Sequence, residues 1–204
     1  MPRMSDAEKR KSHKRILDAA ARLMRENGVG STSVSDVMQA AGLTHGGFYR
    51  HFSSKDELVA AAFQHAVDDV VADLEAARST GELDRARNDY IALYLSRAHL
   101  EDRGQGCPLA AMGPEIALLE NEAKDAASAA IERMAGLLAS GKDSSRSQGI
   151  AMMALLLGTI TLARLKETGV DAGEVLDAGK TGVAVIRQHW SDGRRRTSTG
   201  SPSP

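Results

Sequence analysis

From Ile16 onward the apolar residues of this chain return every three or four positions, and that period limits what the chain can become. Ile16, Leu17, Ala20, Leu23 and Met24 follow the i, i+1, i+4, i+7, i+8 spacing of one helix face. Nowhere does an apolar–polar alternation rich in β-branched residues run long enough for a strand. Aromatic residues are only 3% of the 204, while Ala, Leu, Met, Glu, Arg and Lys are plentiful. Unbranched side chains of that kind lose little rotamer freedom in a helix. The expected fold class is therefore all-α. The length suits one large domain or a small domain joined to a larger one, and 42% hydrophobic residues suffice for a core. The punctuation and motif below favour the second, a three-helix N-terminal domain before a larger helical one.

Punctuation residues divide the chain further. Residues 1–7 read as a mobile arm, and a first helix runs from near Ala7 to Asn27, closed by Asn27-Gly28. Ser33 with Asp36 is a capping box opening a second helix, with Val34, Val37, Met38 and Ala41 inward and Gly42 at its end. Thr44 is placed to cap a very short helix, His45–His51. Ser54 with Glu57 caps a long helix through Leu58, Ala62, Val70 and Leu74 to about Ser79. A linker at Thr80-Gly81 then precedes a helix over Asp84–Glu101, a loop over Asp102–Gly106 and a short helix begun by Pro108. Gly113-Pro114 is expected to interrupt, with a helix from Glu115 or Asn121 to Leu138. After a linker over Ala139–Ser145, two long helices close the fold, Ser147–Thr168 and Asp171–Trp190. The tail Ser191–Pro204 has too little apolar surface to order itself.

The net charge of −1 conceals a division. Residues 1–58 hold ten Lys or Arg against seven Asp or Glu, and the remainder 16 against 20. A basic head on a mildly acidic body suits a chain whose first part meets a polyanion. The N-terminus carries no secretory pattern, the most apolar stretch, Ile150–Leu157, is too short for a membrane span of about 20 residues, and the single cysteine excludes an intrachain disulfide framework or Cys-based zinc cluster. A cytoplasmic protein without a membrane partner is expected. The six histidines are scattered and no H-E-x-x-H, phosphate-binding glycine loop or paired-carboxylate motif occurs, so neither an enzyme, a metal site nor a cofactor is expected.

A helix, a glycine-marked turn and a short helix form the helix-turn-helix arrangement. Its second helix must show small or polar residues to a groove while its other side packs inward. His45-Gly46-Gly47 suits the outer side and Phe48 with Phe52, at i and i+4, the inner. Tyr49 and His51 offer donors to phosphate oxygens, Arg50 adds charge, and Lys55 sits in the first turn after the Ser54 cap. Residues 7–66 resemble the DNA-binding domain of the TetR family. The matching text is Ile16–Ala20, Gly28–Ser33, Asp36-Val37, Ala41–Thr44 and Phe48–Leu58. The resemblance implies phosphate contacts from Thr32, Ser33, Tyr49, His51 and Lys55, and base contacts from the stretch Thr44, His45, Gly46, Gly47. It also implies a repressor that dimerises through its last two helices and leaves double-stranded, near-palindromic operator DNA when a small molecule binds.

Residues 67–190 would then be the effector-binding and dimerisation domain. Met152, Leu155, Leu162, Val183 and Ile186 are expected at the dimer interface, with Gly158 permitting close approach, although an ordinary core helix explains the same pattern. Tyr90, Tyr94, Met112 and Leu156 are expected to line an effector pocket, and no effector follows from the residues. Cys107, at the N-cap of the helix begun by Pro108, would have a thiolate favoured by the helix dipole. The run Gly106–Ala111 is similar to a TetR subgroup in which some members respond to electrophiles or aromatic compounds; a small buried packing residue is the alternative. A protein-binding helical adaptor is the competing function, and a Cys-dependent enzyme built on Cys107 and His99 the remotest one.

Overall fold

The structure, a computed structural model, describes residues 6–119, 122–140, 145–165 and 169–190. The tail 191–204 and all of the N-terminal arm but Asp6 and Ala7, which already belong to a helix, lie outside the described residues. The elements are α1 (Asp6–Asn27), α2 (Val34–Ala40), a 3-10 helix (His45–Arg50), α3 (Lys55–Ala76), α4 (Thr80–Tyr94), α5 (Arg97–Glu101), α6 (Pro108–Ile116), α7 (Glu122–Leu138), α8 (Arg146–Arg164) and α9 (Gly169–His189). No strand occurs among the described residues.

Local chemistry sets most boundaries. Gly28 ends α1 with φ +91°, and Gly42 follows α2 with φ +65°, a region where a Cβ is strained. Ser33 accepts from the Asp36 N–H while the Asp36 carboxylate accepts from the Ser33 N–H, a complete capping box. At α3 the box is displaced. Ser54 accepts from Glu57 N–H, but the Glu57 carboxylate turns to Ser53 N–H and Ser53 Oγ–H at 2.6 and 2.7 Å.

Several expected boundaries move. Thr80-Gly81 is not a linker but the start of α4, capped by Ser79, whose oxygen accepts from Glu82 N–H. The expected helix over Asp84–Glu101 is broken at Leu95, because Ser96 accepts from His99 N–H and starts α5 afresh. Gly113-Pro114 does not interrupt α6, which runs through Pro114 to Ile116. Proline removes one helical hydrogen bond there, and the turn is retained because Ile116 is buried and Glu115 is bonded to the head. The short helix is 3-10 rather than α, and Thr44 occupies its N-cap position without a capping bond from its side chain.

The buried residues form one continuous core with a head end and a body end. Ile16, Ala20 and Met24 of α1, Val37 and Met38 of α2, and Phe48 and Phe52 bury one another beneath the head. The first turns of α3, through Leu58, Val59 and Ala62, belong to that cluster, and its later turns, through Val67, Val71 and Leu74, pack into the body. A rigid rod of 22 residues therefore spans both. In the body α7 packs against α3 and α8, and α8 against α9. Arg133 of α7 bonds Glu75 at 2.6 and 2.7 Å and Asp68 at 2.5 Å, both on α3. Within the protomer the close helix approaches fall at Gly149 and Gly179. A Cβ at Gly158 would meet nothing within 4 Å, whereas one at Gly149 would overlap the Ala135 backbone of α7 and one at Gly179 would press on Thr159. α8 has 19 residues and passes for a membrane-crossing helix by length and composition, longer than the apolar run suggested, but its buried side forms the centre of this core.

Candidate nucleic-acid interface and effector cavity

Most of the helix-turn-helix residues singled out above lie together on one end of the head. Thr44, His45, Gly46, Tyr49 and Arg50 are exposed, Gly47 and Lys55 half-buried, and Phe48 and Phe52 hold the 3-10 helix from beneath with ring centroids 5.8 Å apart. Tyr49 is 72% exposed, which is unusual for a tyrosine with an aromatic neighbour to pack on. Neither Gly46 nor Gly47 has positive φ. A Cβ on Gly46 would meet nothing within 4 Å, and one on Gly47 only Met38 Cε at an ordinary 3.5 Å and Thr44 Oγ1 at 3.9 Å. Nothing inside the protein requires glycine at either position, although each costs a helix about 1 kcal/mol relative to alanine. A backbone left bare on an exposed turn admits an external partner to close range.

Three of the expected phosphate contacts are otherwise engaged. Thr32 is buried and its hydroxyl donates to the Gly28 carbonyl at 2.8 Å, so its side chain is withdrawn from any ligand. The Ser33 hydroxyl donates to Asp36 at 2.6 Å within the capping box. His51 is half-buried against Phe52 and His13, and its Nδ1 is enclosed without a partner. Burial, then the nearby charges of His13, Lys9 and Arg50, push its pKa down, which favours the neutral ring. Lys55 Nζ lies 3.4 Å from the Gly30 carbonyl, anchoring the ammonium at the start of α3.

A contact that residue spacing does not foreshadow joins head and body. Glu115, near the end of α6, accepts from Val29 N–H at 2.9 Å with one oxygen and from Gly30 N–H at 2.7 Å with the other. These amides lie in the loop between α1 and α2, and the Gly28 backbone passes so close that a Cβ there would sit 2.7 Å from Glu115 Oε1. Arg25 of α1 donates from Nε to the Gly104 carbonyl at 2.7 Å. Sequence reasoning also misses Asp18, His65 and Asp69, whose ligand atoms fall within 4.8 Å of one another, close enough to hold a metal ion where none is expected. Asp18 there receives bonds from Lys14 at 2.9 Å and His65 at 2.6 Å, so the group already serves as an ion-pair tie between α1 and α3.

A cavity of about 600 Å³ opens between α3, α4 and the segment leading into α6. Tyr90, Tyr94, His99 and Cys107 form its inner end, with Arg25 beside them. Met112 is not among its lining residues, because α6 turns that side chain wholly into the core. Leu156 also lies off the cavity, behind the wall of Tyr90, Tyr94 and Cys107, where it borders a small void with Met153 and Leu138. The hydroxyl of Tyr90 and Nε2 of His99 are enclosed without a hydrogen-bond partner. Burial and the charge of Arg164 push His99 down to about 4, so the ring is neutral near pH 7.

Cys107 occupies the N-cap of α6 as expected, but its thiol is not acidic. Burial raises its pKa and outweighs the backbone N–H groups of Ala110 and Leu109, which favour the thiolate. Iodoacetamide is therefore expected to label Cys107 at least about tenfold more slowly in the native protein at pH 7.5 than in guanidinium. Intact-mass time courses measure this, and equal rates would place the thiol at the surface.

Of the expected interface residues on α8 and α9, Leu162 is exposed and Gly158 half-buried. Met152 and Val183 are buried within the protomer, as the inward turn of each helix requires, and Leu155 and Ile186 are half-buried. Beyond its first turn, where the exposed Arg146 pairs with Glu132, the outward residues of α8 are Ala154, Thr161 and Leu162, with Ala151 and Gly158 half-buried between them. These and the C-cap Leu165 are uncharged, with Leu162 58% and Leu165 74% exposed. Val185 of α9 is also exposed.

Comparison with known proteins places this geometry in context. The family model of bacterial regulatory proteins, TetR family, matches residues 16–62. An uncharacterized HTH-type transcriptional regulator of Mycobacterium tuberculosis, Rv0196, is 30% identical over 165 residues, 74% of this chain and 84% of that protein. The HTH-type transcriptional regulator AcrR of Shigella flexneri is 41% identical over 58 residues, 28% of this chain, and the match spans only 27% of AcrR. Among solved structures, a TetR transcriptional regulator from Chloroflexus aurantiacus shares 22% identity with a TM-score of 0.69, covering 88% of this chain and 95% of that one. The reduced form of Escherichia coli NemR shares 17% with a TM-score of 0.63, covering 83% and 95%. At these identities the structural likeness is one of fold.

Proposed function

The chain belongs to the TetR family of bacterial regulatory proteins, as a DNA-binding transcriptional regulator, and from that premise we propose that it is a homodimeric repressor released from its operator by a small molecule. The observation that carries the DNA-contacting surface is the bare, exposed turn at Gly46 beside an exposed Tyr49. In this reading Thr44, His45, Gly46 and Gly47 approach base edges, while Tyr49, Arg50 and Lys55 meet phosphates and set the register. Ser33 contributes its helix terminus rather than its hydroxyl. The uncharged outer face of the later turns of α8, continued by Val185, packs on its two-fold copy and sets two recognition turns one DNA turn apart or a multiple of it. Such a dimer works in the cytoplasm, where its operator is.

The effector occupies the cavity above α6. Its arrival shifts the population of two head spacings by moving α3, the rod shared by head and body. The cavity places Arg25 of α1 within reach of the same ligand, giving a second route to the head. Modification of Cys107 by an electrophile is the lesser trigger, because the thiol is buried and protonated until the wall around it opens.

Affinity selection of genomic DNA fragments by the purified protein, at stated salt, tests the reading. An enriched near-palindrome is the expected result. Binding that is weak, sequence-independent and steeply salt-dependent would instead favour an adaptor with an adventitious basic head.

A further inference from the structure

We propose that the cavity selects organic cations, compounds with a ring-bearing apolar body and a permanent or protonated positive charge. The inference rests on the cavity being the effector site and adds the chemical class. Four carboxylates, Asp69, Asp73, Glu82 and Asp89, stand around the mouth, all on exposed residues of α3 and α4. Arg25 and Arg85 offset two of them, and His99 is neutral near pH 7, so the lining has an excess of two negative charges. Asp73 and Asp89 make no ion pair among the described residues.

The inner end independently points to a ligand. The Tyr90 hydroxyl and His99 Nε2 line the cavity enclosed without a hydrogen-bond partner, and Tyr94, 3% exposed, lies beside the Cys107 thiol on the same wall. Buried polar atoms left this way are rare in native proteins and are satisfied when a polar guest arrives. Tyrosine rings also present a negative π face to a cation. An anion entering the same space meets the uncompensated carboxylates first, and the low-dielectric walls concentrate that field along the path. Arg25 and Arg164 carry positive charge beside the inner end, so the charge of the guest belongs toward the mouth, near Asp73 and Asp89, with its apolar rings inward.

Tetraphenylphosphonium and tetraphenylborate, matched in shape and opposite in charge, separate the possibilities when titrated calorimetrically into the purified protein in sodium buffer. Tetraphenylphosphonium is expected to bind at least about tenfold more tightly, and the double variant Asp73→Asn, Asp89→Asn to reduce the preference to threefold or less. Both positions are exposed, so the variant is expected to fold, and its melting curve checks this. Equal or stronger binding of the borate overturns the cation inference and leaves the effector-cavity reading standing. A phosphonium preference unchanged in the double variant also overturns it, since the cation then sits elsewhere. Binding of neither ion at millimolar concentration overturns both.

Discussion

A chain carrying Tyr49→Ala with Lys55→Glu is expected to lose about 10³-fold or more of its operator affinity while melting within about 2 °C of the parent. A hydrogen bond to a charged phosphate contributes about 1.5–3 kcal/mol. Each substitution removes one such contact and is felt at both half-sites of a two-fold dimer. Four losses of that size amount to at least about 6 kcal/mol, or about 10⁴-fold, before non-additivity reduces the figure. Stability is spared because Tyr49 is 72% exposed and Lys55 makes only a long contact with the Gly30 carbonyl. The slope of log affinity against log salt should also become shallower by about 2, one phosphate per half-site. Fluorescence anisotropy on the selected operator at several salt concentrations measures both quantities. A folded variant with unchanged affinity would remove this face from the DNA interface.

Glu115→Ala is expected to uncouple the head from α6. Its carboxylate is the acceptor for Val29 and Gly30 N–H, and truncation leaves the Val29 amide, in a part-buried position, without that bond. Charge-assisted bonds of this kind are worth about 1.5–3 kcal/mol each, and the exposure of Gly30 reduces its share. A total near 2 kcal/mol corresponds to about 4–8 °C in melting temperature for a protein of this size. Amide exchange at Val29 and Gly30 should accelerate before the rest of the head, and Glu115→Gln should restore part of the protection because its single carbonyl oxygen still accepts. Uniform exchange across the head in the alanine variant would show that Glu115 does not fasten this loop. The result bears on signalling, since α6 has the cavity residue Cys107 at its N-cap and Glu115 at its far end.

The head is legible in the amino-acid sequence because its information is local. The Ser33–Asp36 box, the glycines that end α1 and α2, and the i, i+4 pair Phe48 and Phe52 each act over a few residues. Local signals are also present where the expected boundaries fail. Ser79 with Glu82 and Ser96 before His99 are capping patterns of the same kind as Ser54 with Glu57, and they set the two ends of α4. Pro114 misleads because proline's usual effect is outweighed by the packing of Ile116 and the bonds of Glu115, which join residues 85 and 86 positions apart.

The order of residues along the chain is enough to set the helical period, the caps of the head and the exposed chemistry of its recognition turn. Each depends on neighbours within one or two helical turns. Packing in three dimensions settles which apolar face of α8 is spent on the core, so that Met152 turns inward and Leu165 outward. It also withdraws Thr32, turns Met112 and Leu156 away from the cavity, and lets burial override the helix terminus at Cys107. Those outcomes depend on desolvation and on contacts between residues far apart in the chain, and the spacing of residues along a sequence encodes neither.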